Sequence, residues 1–236
     1  VAQLDELDAS AAGITSLVGI QNAVNLVSLD ISANPIGDFT PLAALGALRS
    51  LFASTNGIVD ISWMQGLTEM RFLHLAENSI ANTSPLAGMT QLIYLDLTGN
   101  AISDLAGLSG LSLLRFLYLV GNGIDDVTPL AGLVGLNTLW LSDNPLNNIA
   151  PLQGLFSLTA LHLSAGEISD LSPLSGLTVL SYLDVSDNPA VQSIQPLLDN
   201  PGIGFGDTVD LSGTAVPCQS IATLAQRAAV VISDCP

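Results

Sequence analysis

The sequence predicts an α/β repeat: an open solenoid with a parallel β-sheet on its concave side and short 3₁₀ or α turns on its convex side. Three observations predict it. Asn recurs at positions 34, 56, 78, 100, 122, 144 and 188, a period of 22 residues whose one missed multiple, 166, holds Gly166. Around each Asn the same apolar frame returns. The composition, 49% hydrophobic but only 5% aromatic and 11% charged, is what many copies of a Leu, Ile, Ala, Gly and Pro frame produce.

The frame is clearest in Leu92-Ile93-Tyr94-Leu95-Asp96-Leu97-Thr98-Gly99-Asn100. This is the leucine-rich repeat pattern LxxLxLxxN at a length typical of such repeats. Its LxL segment alternates with period two and reads as a strand. The two Leu-type residues point into the solenoid and the residue between them points out. The Asn then turns the chain, its side-chain amide serving backbone groups that the bend leaves unpaired.

The second half of each unit reads as in Ile124-Asp125-Asp126-Val127-Thr128-Pro129-Leu130-Ala131-Gly132-Leu133. Ser or Thr followed by Pro is a helix start, because Pro at the first helical position gives up no hydrogen bond. Asp38, Asp60, Asp104, Asp126 and Asp170, with Asn82 and Asn148, form a column in this half. Turn capping is the first reading of that column. Calcium binding is the alternative, but one carboxylate per rung falls far short of six to eight oxygens.

About ten rungs fill residues 1–216, and residues 217–236 leave the repeat as a C-terminal cap. In the cap, Ile221 and Leu224 suit a short helix and Val230-Val231-Ile232 an extended segment. The chain's two Cys residues, Cys218 and Cys235, bracket that helix. A disulfide between them is the direct inference, and it implies an oxidising compartment. Zinc and thiol catalysis lack the partner His residues they require. The chain enters its first rung directly, so an N-terminal cap is expected upstream.

The 22-residue unit, the opening Gly13-Ile14-Thr15-Ser16-Leu17, the recurring Ser/Thr-Pro-Leu segment and the Cys-bracketed cap together resemble bacterial internalin-like leucine-rich repeat proteins. The resemblance implies an exported or surface-attached recognition module that binds a protein, or in some cases a glycan, on its concave sheet. The chain departs from the usual internalin pattern in having no Lys and in its Cys-containing cap.

Charge narrows the partner. Twenty-one acidic residues against four Arg and no Lys give a net charge of −17. Such a field repels nucleic acid and anionic lipid surfaces. The uncharged run from Asn144 to Gly166 repeats Pro, Asn and Gln with the rungs, so no membrane insertion is expected there.

Two outward columns carry the candidate site. The residue between the inward Leu positions reads Asp8, Asp30, Phe52, His74, Asp96, Tyr118, Trp140, His162, Asp184, Asp210. The column two residues earlier reads Glu6, Ser28, Ser50, Phe72, Tyr94, Phe116, Thr138, Ala160, Tyr182. All three Tyr, both His, three of six Phe and one of two Trp fall here, on positions expected to face water. Exposed contiguous aromatics mark interaction surfaces, with Tyr and Trp as anchors. The plainer alternative is cross-strand stacking, at about 0.2–1 kcal/mol per pair.

The expected ligand is a protein with an apolar centre and basic flanks, bound by a monomer, with a glycan or a purely structural spacer as alternatives. His74 and His162 each precede an Asp by one rung, about 4.8 Å away, and that carboxylate is expected to favour the protonated ring. The two His are too far apart to share a metal or a catalytic step. No metal, cofactor or enzymatic activity is expected. Arg49, Arg71 and Arg115, one residue before their strands, read as solvated edge charges.

Overall fold

The protein is described from a computed structural model covering residues 4–227 and 230–235. Its β-strands are each three residues long: β1 (Glu6–Asp8), β2 (Ser28–Asp30), β3 (Ser50–Phe52), β4 (Phe72–His74), β5 (Tyr94–Asp96), β6 (Phe116–Tyr118), β7 (Thr138–Trp140), β8 (Ala160–His162), β9 (Tyr182–Asp184), β10 (Thr208–Asp210) and β11 (Val230–Ile232). They form one parallel sheet in sequence order, β1 to β11. Each return half carries a 3₁₀ turn until β9, after which a short helix, α1 (Gln195–Asp199), takes its place. This is a leucine-rich repeat solenoid.

Burial follows the alternation. Leu29, Leu51, Leu73, Leu95, Leu117, Leu139, Leu161 and Leu183, the middle residues of successive strands, are buried as one stack. Each such side chain contributes on the order of 1.5–3 kcal/mol. The 3₁₀ turns Thr40–Ala44, Ser84–Leu86, Thr128–Leu130, Ala150–Gly154 and Ser172–Leu174 all have Pro near their start. The Asp column caps them. Asp38, Asp60, Asp104, Asp126 and Asp170 each accept the backbone N–H two residues on at 2.8 or 2.9 Å. Those bonds hold the Asp38 and Asp170 carboxyls below the ordinary carboxylate value.

The Asn column binds the rungs to each other. Asn122 Nδ2 donates to Leu97 O, Leu119 O and Val120 O, while its Oδ1 accepts the Ile102 N–H. The residue before the Asn is left-handed throughout, at φ 56 in Thr55 and 57 in Asp143, and as Gly99 and Gly121 at φ 64. At Gly166 the amide is missing, and the Leu146 N–H turns instead to Asn144 O at 2.7 Å.

At the C-terminal end, α2 (Cys218–Ala225) packs Ile221 and Leu224 against the core. The disulfide between Cys218 and Cys235 is formed. The expected extended segment is β11, which joins the sheet beside β10. Arg227 anchors this end by donating to Leu197 O, Leu198 O and Asn200 O at the end of α1. Cationic donors suit the unpaired carbonyls of a helix C-terminus.

Candidate functional site

The strands pair in register, Phe52 with His74, Tyr118 with Trp140 and His162 with Asp184, so the two outward columns exist as straight rows on the sheet. Asp is the default resident of the row between the inward Leu positions. Asp8, Asp30, Asp96, Asp184 and Asp210 each accept the backbone N–H two residues on, at 2.8–3.0 Å. On β3, β4, β6, β7 and β8 a ring replaces Asp and forgoes that carboxylate bond.

The rings form an unbroken ladder. Phe52 stacks on His74 at 4.4 Å between centroids, His74 on Tyr94 at 4.3 Å, and Tyr94 meets Tyr118 at 5.2 Å. Tyr118 meets Trp140 edge-on at 5.0 Å, Trp140 meets His162 at 4.4 Å, and His162 stacks on Tyr182 at 4.6 Å. Seven rings thus connect seven consecutive strands, β3 to β9. The run changes column at Tyr94 and again at Tyr182, which the sequence columns alone do not reveal. Phe116 branches from Tyr94 at 6.3 Å.

Full exposure to water, expected from the sequence, does not hold for most of these rings. Stacking half-buries Phe52, His74, Tyr94, Tyr118, His162 and Tyr182, while Phe72, Phe116 and Trp140 remain exposed. Burial, joined by the nearby Asp96 charge, pushes the Tyr94 hydroxyl up to about 12.

The two His/Asp repeats differ, and the first corrects the sequence reading. Burial between Phe52 and Tyr94 lowers the His74 pKa, outweighing the opposite pull of Asp96 and Asp30. His74 therefore favours its neutral form. At the second repeat, His162 Nδ1 lies 3.6 Å from Asp184 Oδ2. Burial alone would raise the Asp184 carboxyl, but the adjacent His162 ring and the hydrogen bonds from Ser186 hold it down at about 2.

Ser, His and Asp meet here without forming a nucleophile. The Ser186 hydroxyl donates to Asp184 at 2.6 Å, and the Ser164 hydroxyl donates to Ser142 at 2.8 Å. Neither arrangement sets a hydroxyl against an imidazole base, which activation of Ser requires. Among the described residues no group of His, Cys, Asp or Glu is gathered to hold a metal ion.

A shallow recess of about 450 Å³ opens on the concave side between Ala76, Tyr94, Asp96, Thr98, Tyr118, Val120 and Trp140. Ala76 and Val120 lie outside both sequence columns, two residues after His74 and Tyr118. Carrying the period-two alternation one step past the inward Leu pair finds them. Arg115 also departs from expectation: Arg49 and Arg71 are exposed, but Arg115 is half-buried. Its guanidinium lies where a Cβ on Gly135 would stand, and its Nη1 has no hydrogen-bond partner among the described residues.

Comparison with known proteins places this architecture. A family model described as leucine-rich repeats in two copies matches residues 68–111 and 112–154. The crystal structure of an internalin C2 from Listeria monocytogenes is 31% identical, with a TM-score of 0.60, covering 90% of this chain and 80% of that one. The chain belongs to the internalin family of leucine-rich repeat proteins. An internalin, InlF, from the same organism aligns over 98% of this internalin-family chain and 81% of its own length, with 26% identity and a TM-score of 0.73. The fold is also shared by the plant peptide hormone receptor RGFR1 in complex with RGF2, at 17% identity and a TM-score of 0.66, over 91% of this chain and 41% of that one. A search of curated proteins gave no match. Leucine-rich repeat proteins such as internalins and receptors are protein-interaction modules. No helix among the described residues is long and apolar enough to cross a membrane.

Proposed function

We propose that this chain is an exported, non-enzymatic recognition module that holds a protein ligand on the concave aromatic ladder. The observation that carries the reading is the unbroken run of rings from Phe52 to Tyr182, five of which, Phe52, His74, Tyr118, Trp140 and His162, stand where the other rungs use Asp to close a turn. Each of those five rings displaces a carboxylate hydrogen bond, worth about 0.5–1.5 kcal/mol elsewhere in the repeat. Stacking returns about the same amount. Stability therefore gives little net reason to assemble rings in the middle of the sheet, and a ligand gives one.

The site comprises Phe52, Phe72, His74, Tyr94, Asp96, Phe116, Tyr118, Trp140, His162, Tyr182 and Asp184. Ligand chemistry follows from its layout. The recess beside Tyr118 and Trp140 takes an apolar anchor. The acidic residues at both ends, Asp8 and Asp30 on one side and Asp184 and Asp210 on the other, favour basic flanks. A protein suits these rings better than a glycan. Phe52, His74 and Tyr94 cover one another's faces at interplanar angles of 19° and 29°, so they present edges to the open side. Sugar stacking needs a free ring face.

The disulfide supports an oxidising compartment and hence export to the cell surface or beyond. The test is capture of extracellular proteins by the wild type and by a Tyr118→Ala, Trp140→Ala double variant, with a glycan array run on both. A protein lost from the double variant supports the reading. Unchanged capture removes the ladder as the site, and array binding lost in the variant replaces the protein ligand by a glycan.

A further inference from the structure

One flank of the solenoid carries a second apolar feature, away from the concave face. Leu113, Val134, Phe156, Val179 and Phe205 are all exposed, Phe156 at 63% and Phe205 at 91%. Each lies three or four residues before a strand, leading into β6, β7, β8, β9 and β10 in turn. Because these strands are neighbours in register, the five residues follow one another along the edge where the chain enters the sheet. Adjacent rungs touch there: the Phe156 ring lies 3.6 Å from the Cβ position of Gly176.

The charge around this ridge is as uneven as its polarity. Residues 106–116, 128–140, 150–162 and 172–182, which lead into β6 to β9, contain no Asp or Glu. Every acidic residue from Glu77 to Asp187 lies instead at a strand end or on the opposite flank. For a chain of charge −17, this flank, neutral from β6 to β9 and acidic only at Asp199 and Asp207 before β10, is where a second copy can approach with little like-charge repulsion.

The order of residues along the ridge is self-complementary. We infer that two copies of this chain associate through this flank, antiparallel about a twofold axis at Phe156. That symmetry sets Phe156 against the partner's Phe156 and Val134 against the partner's Val179. It also sets Leu113 against the partner's Phe205. One residue before β6 stands Arg115, and one residue before β10 stands Asp207, at equal distances from the axis. The same pairing therefore places the half-buried guanidinium opposite the partner's Asp207. Between them, Asn137 meets the partner's Ser181, a neutral pair able to hydrogen-bond. The ridge spans about 20 Å at the strand spacing, which suits an interface at the small end of specific contacts and a dimer that forms reversibly. This arrangement replaces the monomer expected from the sequence.

Sedimentation of the wild-type chain across the micromolar range tests the pairing. A concentration-dependent dimer is expected, lost in Phe156→Asp with an unchanged thermal melt, since Phe156 is exposed. Both native cysteines are tied to each other, so Phe156→Cys gives a covalent dimer on a non-reducing gel. Arg115→Asp and Asp207→Arg each weaken the dimer at least tenfold, and the double variant restores it. A wild type that stays monomeric throughout overturns the inference, as does a dimer untouched by Phe156→Asp. If Phe156→Asp instead abolishes capture of a different protein by a monomeric chain, the ridge belongs to that protein and self-association is again overturned. Tyr118→Ala, Trp140→Ala leaves the dimer intact, which separates this outcome from that of the concave-face proposal.

Discussion

Asn144 Nδ2 donates to Leu119 O, 25 residues earlier, at 3.0 Å, so one side-chain amide joins two successive turns of the chain. The same nitrogen serves Leu141 O and Ser142 O at 2.9 and 3.1 Å, and Oδ1 accepts the Ile124 N–H at 3.0 Å. Asn144 is buried, so water cannot replace these bonds. Asn144→Ala strands several backbone groups and is expected to lower stability by about 3 kcal/mol, at roughly 1–3 kcal/mol per buried unsatisfied group. Asn144→Asp is worse, because a carboxylate donates nothing to three carbonyls. Urea unfolding of both variants checks the order.

That amide network was legible in the sequence because a turn repeated at a fixed spacing can be read without knowing its coordinates. The same holds for the inward Leu stack and for the disulfide, whose partners are the chain's two Cys. The ladder was only half legible. Register gave the columns, but whether a ring lies against its neighbour or stands in water depends on side-chain torsions, which periodicity does not encode. His74 shows the consequence. Its distance to the Asp96 row follows from strand spacing, whereas its enclosure by Phe52 and Tyr94 at 4.4 and 4.3 Å does not, and enclosure decides its charge. Arg115 escaped for a related reason: nothing in its own position distinguishes it from Arg49 and Arg71. The difference lies one rung on, where Gly135 leaves room for the guanidinium.

Acid should weaken the fold in two separate windows. The pKa of His74 is below its ordinary 6.5 in the folded chain. Below pH 6.5 the unfolded chain therefore takes up a proton that the folded chain refuses, and stability falls until the lower folded value is passed. Asp184 is held at about 2 against an ordinary 3.8, so its contribution is complete above 3.8 and lost as pH falls toward 2. His74→Phe is expected to flatten the stability profile just below pH 6.5 and leave the lower window unchanged. Asp184→Asn does the reverse. Denaturant midpoints across the acid range distinguish them.

Alkali should report on the ladder directly. All three Tyr residues lie in it, and burial raises the pKa of each, Tyr94 to about 12 and Tyr118 and Tyr182 in the same direction. Tyrosinate absorbance of the folded chain should therefore rise later than in urea, where it follows the ordinary value of 10. The sign for stability is the opposite of a benefit: above pH 10 the unfolded chain ionises first, so the fold weakens as pH rises toward 12. Tyr94→Phe removes the latest part of the titration. A folded-state curve that overlays the unfolded one would mean that the rings stand open to water.

Stacking and recognition can be separated inside the site by comparing two residues of one column. Tyr94 touches three rings, His74 at 4.3 Å, Tyr118 at 5.2 Å and Phe116 at 6.3 Å, and it is where the ladder changes column. Phe72, on the neighbouring strand, is 41% exposed and has no ring contact among the described residues. Removing Tyr94 severs the run into two pieces and opens a gap between half-buried neighbours. Tyr94→Ala is therefore expected to cost about 2–3 kcal/mol. Phe72→Ala gives up an exposed side chain and is expected to stay within about 0.5 kcal/mol of the wild type. Equilibrium unfolding measures both. If Phe72→Ala proves as costly as Tyr94→Ala, the sheet needs that ring for its own stability. The case for Phe72 as a ligand contact then weakens, because its exposure would no longer lack a structural reason.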